Sequence, residues 1–385
     1  MPYDFTRSAS REVADNIKWN RYAGRDVLAM WVADMDFASP PEVTAALAAR
    51  VASGSFGYSE PTREMVGAVL GAARRDYGWQ IAPEWLVPLP GLVTGLNVAC
   101  RAVGQPGDAV LTATPVYPPF MSAPQYSERT LVKVPLLEPD DALPWRWDLP
   151  ALDAAAAGAR ALLLCHPHNP VGRAWDRAEL EAIADIARRR DLVVVSDEIH
   201  CDLLLEPGAR HLPFAMLSPD AAQRSITLMA ASKTYNVAGL GCAFAVVPDA
   251  GLRHAFQRAM RGIVPHPNLL GLTATAAAYG QGAAWRAELL EVLRANRDAI
   301  VAALDGVAGV RVVPAQATYL AWIDCRGAGL EHPQAFFEAA GVGLSDGADF
   351  GAPGFVRLNF GCPSATLAAA LTRMRAALDK LPQPG

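Results

Sequence analysis

The chain has 385 residues, 52% hydrophobic and 19% charged, which is the composition of a globular protein and too long for one small core; two or three domains are expected. A net charge of -5 and a pI of about 5.8 give no reason to expect nucleic acid or an anionic membrane as partner.

The first residues, "MPYDFTRSASREVADN", lack the apolar core of a secretory signal, so a cytoplasmic protein is expected. From about residue 84 to 250, apolar runs alternate with helical segments. "AVLTA" (109–113), "TLVKV" (130–134), "ALLLC" (161–165), "LVVVS" (192–196), "SITLMA" (225–230) and "CAFAVV" (242–247) read as strands. "PGLVTGLN" (90–97) reads as a turn opening a helix, and "DRAELEAIADIARRR" (176–190) as a helix. Asp176 is its expected N-cap, Glu179 the capping-box partner, and the basic last turn suits the negative end of the helix dipole.

Such alternation predicts a mostly parallel sheet with helices on both faces. Residues 262–285 contain no Asp, Glu, Lys or Arg, yet their prolines and glycines fit a loop leading into a buried helix better than a bilayer span. A long helix over about 283–305 is followed by short strands in "GVRVVPAQ", "TYLAWID" and "GFVRLNFG", then a last helix at 364–380. The expected division is a large domain, 46–282, and a smaller α+β domain built from 1–45 and 283–385. The six cysteines are scattered and form no C-x-x-C, so reduced, buried thiols are expected rather than disulfides or a metal site.

Four strands are followed by polar residues: "TPVYPPF" (114–120), "HPHNPVGR" (166–173), "DEIHCDL" (197–203) and "ASKTYN" (231–236). The carboxyl ends of parallel strands converge on one cleft, which brings Tyr117, Asn169, Asp197 and Lys233 together. Singly, each has an ordinary structural use, as a turn former, a cap or a solvated cation. A lysine directly after a buried apolar strand, however, is placed to lose its proton and attack a carbonyl.

H-N-P-x-G, then D-E-I-H, then S-K-T-x-N-x-A-G-L resembles the fold-type I pyridoxal-phosphate enzymes of the class I/II aminotransferase superfamily. More narrowly, "MWVADMDFASPPEV" (30–43), "FGYSEP" (56–61), "TPVYPPF" and "VRLNFGCP" (356–363) resemble the MalY/PatB-type cystathionine β-lyases, or C–S lyases. The resemblance spans nearly the whole chain. It implies a large domain with a mostly parallel seven-stranded sheet sandwiched by helices, and a smaller α+β domain.

The same resemblance implies the site. Lys233 would hold pyridoxal 5'-phosphate as a Schiff base and then act as general base. Asp197 would pair with the pyridine nitrogen, Asn169 would donate to the ring 3-oxygen, and Tyr117 would stack on the ring. The helix start at 90–97 would take the phosphate, with Val93 and Thr94 as donors and Ser232 nearby. Tyr58 would reach the phosphate of a neighbouring subunit, so a homodimer with shared active sites is implied. Arg357 would grip the substrate α-carboxylate.

His200 stands where many aminotransferases have a tyrosine, Gly241 where many have an arginine, and Ala230 where many have a serine. These departures favour a lyase that cleaves the Cβ–S bond of cystathionine or a related S-substituted cysteine, giving pyruvate, ammonia and a thiol. An aminotransferase, and a bifunctional lyase with a regulatory role, are the alternatives. The choice of thioether is expected to depend on cleft residues, including those near "WVADMDF" and Tyr319.

Overall fold

The computed structural model describes residues 3–140 and 143–381. Its centre is a seven-stranded sheet. In spatial order the strands are Leu86–Leu89, Ala243–Val246, Ser225–Met229, Val193–Asp197, Ala161–Cys165, Ala109–Thr114 and Thr130–Pro135. Only Ala243–Val246 runs against its neighbours. Six of these strands are the expected ones. The seventh, Leu86–Leu89, carries Pro88, which fits a sheet edge because proline gives no ladder donor.

The central strands are buried along their whole length, so they read as unbroken apolar runs rather than alternating ones. Successive side chains still go to opposite faces. Leu162 and Leu164 join Leu180, Ile183 and Ala187 of the helix Arg177–Arg190, whereas Leu163 joins Leu96 and Ala99 of the helix Leu92–Ala102. The capping box expected at Asp176 and Glu179 is formed in both directions.

The uncharged stretch forms the helix Leu269–Gln281, packed against Pro41–Ala52 and Arg63–Ala72. Its Gly271 lies so close to the loop after Lys233 that any side chain there would strike the Leu240 carbonyl. No helix among the described residues is long and apolar enough to cross a membrane. The long helix spans Ala283–Leu304 and the last one Ser364–Leu378.

A second, antiparallel sheet has the order Ser345–Asp346, Phe355–Asn359, Leu320–Asp324, Arg311–Val312. Near it, Leu28–Ala29 pairs in parallel with Val342–Gly343. Residues 30–40 then cross without regular structure from this pairing to the helix Pro41–Ala52. The six cysteines are buried and unpaired.

Candidate active site

The strand register aligns the carboxyl ends. Cys165 is level with Asp197, and Asp197 with Leu228. The backbone closes the edge: His166 N donates to Asp197 O at 2.9 Å, and Tyr117 N donates to Asn169 O at 3.0 Å. Two further strands deliver Lys233, four residues beyond Met229, and the amino end of Leu92–Ala102, three residues beyond Leu89.

Asp197 is buried and accepts one hydrogen bond, from Ile199 N at 3.1 Å. Burial pushes its carboxyl up to about 7, with Glu198 adding to the rise and the Ile199 amide and Lys233 opposing it. Lys233 keeps some surface toward the cleft, while its amine is enclosed and donates to Ala33 O at 2.6 Å. Burial lowers the amine's pKa; Asp34 and Asp197 oppose that, and Arg357 reinforces it. The amine and the carboxyl therefore each sit closer to neutral pH than in water.

Arg357, on the strand Phe355–Asn359, enters the same cleft. It is buried and donates to Asn169 Oδ1 at 3.0 Å, Trp31 O at 3.1 Å and Ser345 Oγ at 3.4 Å, with its guanidinium 4.5 Å from the centre of the Phe350 ring. Its Nε has no partner, and no ion pair joins it to a carboxylate among the described residues. Burial lowers its pKa to about 10. A desolvated cation without a counter-ion is a ready receptor for a carboxylate. Because Asn169 Oδ1 accepts from Arg357, the amide NH2 of Asn169 remains as a donor.

Tyr117 is half-buried against the core on both sides of the sheet and feels the charges of Arg357 and Asp197. His200 is buried, with Nδ1 unpartnered and its ring 6.0 Å from that of Tyr319. Burial, with Lys233 and Arg357 nearby, drives its pKa down to about 3, so the imidazole is neutral. The helix Leu92–Ala102 starts after an extended Gly91 with no side-chain cap, which leaves the amides of Leu92, Val93 and Thr94 for a ligand. Val93 is 44% exposed, Thr94 and Ser232 are partly buried, and Tyr58 is fully exposed on this single chain. Gly241 has φ +59°, a left-handed conformation that an arginine would occupy only under strain.

The segment over residues 31–37 was legible only as a motif; the structure makes it a strap over the cleft. Its carbonyls are held by side chains from four parts of the chain. Besides the bonds from Lys233 and Arg357, Tyr319 Oη donates to Ala33 O at 3.1 Å, and Asn359 Nδ2 donates to Val32 O and Asp34 O at 2.6 and 2.7 Å. Lys18 Nζ donates to Asp34 O at 2.9 Å, and Asn236 Nδ2 donates to Met35 O and Phe37 O at 3.1 and 2.7 Å. Beneath it, Lys18 and Asp36 form a fully buried ion pair at 2.9 Å. Asp34, one residue on from Ala33, lies within electrostatic reach of Lys233.

The set fits pyridoxal phosphate in its chemistry: an amine for an aldehyde, a buried carboxyl for a pyridine nitrogen, uncapped helix amides for a phosphate, and an unmatched guanidinium for an amino-acid carboxylate.

Comparison with known proteins agrees. The chain is 36% identical over 387 residues to the cystathionine β-lyase PatB of Bacillus subtilis, covering 98% of this chain and 100% of that protein. The crystal structure of OvoB superposes with a TM-score of 0.95 at 44% identity, covering 98% and 100% of the two chains. The pyridoxal-phosphate-bound C–S lyase of Staphylococcus hominis superposes with a TM-score of 0.90 at 29% identity, covering 98% of each. The sequence model for aminotransferase class I and II matches residues 25–374, and the chain belongs to that family.

Proposed function

We propose that this chain is a pyridoxal 5'-phosphate-dependent carbon–sulfur lyase, cleaving the Cβ–S bond of cystathionine or a related S-substituted L-cysteine to a thiol, pyruvate and ammonia. The observation that carries this is one cleft holding the enclosed Lys233 amine, the buried Asp197 carboxyl and an Arg357 guanidinium with no carboxylate of its own. When bound, pyridoxal phosphate supplies an electron-withdrawing ring that stabilises negative charge at the substrate Cα.

The chain's residues supply the rest. Lys233 Nζ would be the group that holds the cofactor aldehyde and, when free, the base for the Cα proton. Its lowered pKa favours the neutral amine that this task needs. Asp197 would be the partner of the ring nitrogen, and a cation there would favour its ionised form. Asn169, turned by Arg357, and the neutral His200 would hold the ring oxygen side, and Tyr117 would cover the ring. The amides at Leu92–Thr94, with the Thr94 and Ser232 hydroxyls, would hold the phosphate. Arg357 would take the substrate carboxylate in a two-pronged bond.

We also propose a homodimer with shared sites. Tyr58, Phe56, Val93 and Ile263 are large exposed apolar or aromatic side chains, and Val93 borders the proposed phosphate site. A second copy covering Val93 would bring its own Tyr58 toward the phosphate. Six buried, unpaired cysteines support a reducing, cytoplasmic location.

The deciding experiment supplies L-cystathionine to the loaded enzyme with no keto-acid acceptor. Pyruvate and homocysteine should accumulate over many turnovers; one turnover followed by arrest would identify an aminotransferase instead. Arg357→Lys, which keeps the charge but loses the planar fork, is expected to lower kcat/KM by about 10²-fold or more, while cofactor absorbance is retained.

A further inference from the structure

Tyr319 is expected from the sequence to bear on the choice of thioether, yet its one polar side-chain atom is turned to the strap. The residue is fully buried just before the strand Leu320–Asp324, with its ring edge-on to that of His200 at 6.0 Å. The preceding Thr318 has φ +74°, a left-handed conformation that a β-branched residue adopts only when its surroundings impose it. Those surroundings are hydrogen bonds: Thr318 N donates to Leu203 O at 2.9 Å, and Phe360 N donates to Tyr319 O at 2.8 Å. The phenol is thus wedged between the loop after Asp197 and the strap. Its Oη donates to Ala33 O at 3.1 Å, and burial raises its pKa, so it stays a donor.

We propose that Tyr319 is a positioning residue for the Cα proton transfer: its hydroxyl fixes the Ala33 carbonyl, and that carbonyl fixes the direction of the Lys233 lone pair. A carbonyl oxygen has two lone pairs. Here one accepts from Tyr319 and the other from Lys233 Nζ at 2.6 Å. The peptide groups on either side are clamped by the buried Asn359. Its Nδ2 donates to Val32 O and Asp34 O at 2.6 and 2.7 Å, and its Oδ1 accepts from Gly361 N at 2.8 Å. A free lysine amine turns readily about its Cε–Nζ bond, and the lone pair turns with it. Committing one N–H to a fixed oxygen removes that freedom and holds the lone pair in one direction. In the transfer itself the Cα–H bond breaks, an Nζ–H bond forms, and the electron pair stays on the substrate side. The nitrogen becomes an ammonium, so its bond to Ala33 O becomes charge-assisted and stronger, and the contact favours the transferred state.

This rests on Lys233 being the base. Tyr319→Phe keeps the ring and removes only the hydroxyl. In the loaded enzyme, Cα hydrogen exchange of L-alanine in D2O isolates proton removal, because alanine has no β-substituent to lose. The variant should exchange at about one-tenth of the wild-type rate at saturating alanine, with the half-saturating concentration and the cofactor absorbance unchanged; a general loosening of the site would move all three. In the cofactor-free chain, deuterium uptake by the backbone over residues 31–37 should rise several-fold while uptake over 161–165 stays the same. Tyr319→Met fills the same space without a hydroxyl and gives the same readouts should the phenylalanine variant not fold. A wild-type exchange rate in a folded, loaded variant overturns the proposal, as does unchanged uptake over the strap. Slowed alanine exchange, with a wild type that makes no pyruvate from L-cystathionine, upholds the positioning role and removes the lyase function.

Discussion

Lys233→Ala should end turnover, lowering the rate of pyruvate formation by at least about 10⁴-fold, because one side chain serves both as attachment point and as base. Borohydride reduction of the loaded wild type should fix the cofactor to the peptide carrying residues 225–241, and the alanine variant should gain no such mass. The structure makes no substitute available. Lys18, the other lysine near the strap, is committed to Asp36 and the Asp34 carbonyl and is fully buried. An added primary amine should restore part of the lost rate, since it supplies the base without the tether. Turnover in the alanine variant close to that of the wild type would remove the basis of the proposed chemistry.

Asp197→Asn should produce the second-largest loss, about 10³-fold in turnover, together with weaker cofactor retention, because a neutral amide cannot match a charged ring nitrogen in a buried site. Its effect on the empty protein runs the other way. The Asp197 carboxyl rises from an ordinary 3.8 to about 7 on folding, since burial disfavours its charge. The unfolded chain then binds fewer protons than the folded one between these values. Stability from this group is fully present below pH 3.8 and is lost as pH rises through about 7, by roughly 4 kcal/mol in all. Cofactor-free wild type should therefore lose melting temperature between pH 5 and pH 8 more steeply than cofactor-free Asp197→Asn. At pH 8 the variant should be the more stable of the two. Parallel melting curves at those two pH values would show the carboxyl to be comfortably ionised without a partner.

The opposition between these two effects is characteristic of a binding site held in readiness. A buried acid, an enclosed amine and an unmatched guanidinium all cost stability in the cofactor-free protein. Each is complementary to a group of the cofactor or substrate. The remainder of the cleft is rigid: the carbonyls of the strap are held by side chains, and the Lys18–Asp36 pair below it is sealed from water.

Much of this was set by local pattern. Continuous apolar runs mark fully buried parallel strands, and the Asp176–Glu179 spacing marks a helix start, because both depend on neighbours only a few residues away. Once the strands are parallel, the polar residues after them must share an edge, so Tyr117, Asn169, Asp197 and Lys233 could be grouped without coordinates. The strand Leu86–Leu89 is hidden in the sequence because Pro88 breaks the apolar run, and the two-residue strands Leu28–Ala29 and Val342–Gly343 are too short to show a period. What only the tertiary structure decided is which long-range partner each charge meets. Asp34 and Asp36 stand two residues apart in one motif, yet it is Asp36 that pairs with the buried Lys18. Arg357 reaches Asn169 across 188 residues. No periodicity encodes those choices, because they are made by how the strap and the second sheet close over the first, where the cost of burying a charge selects the geometry that provides it a partner.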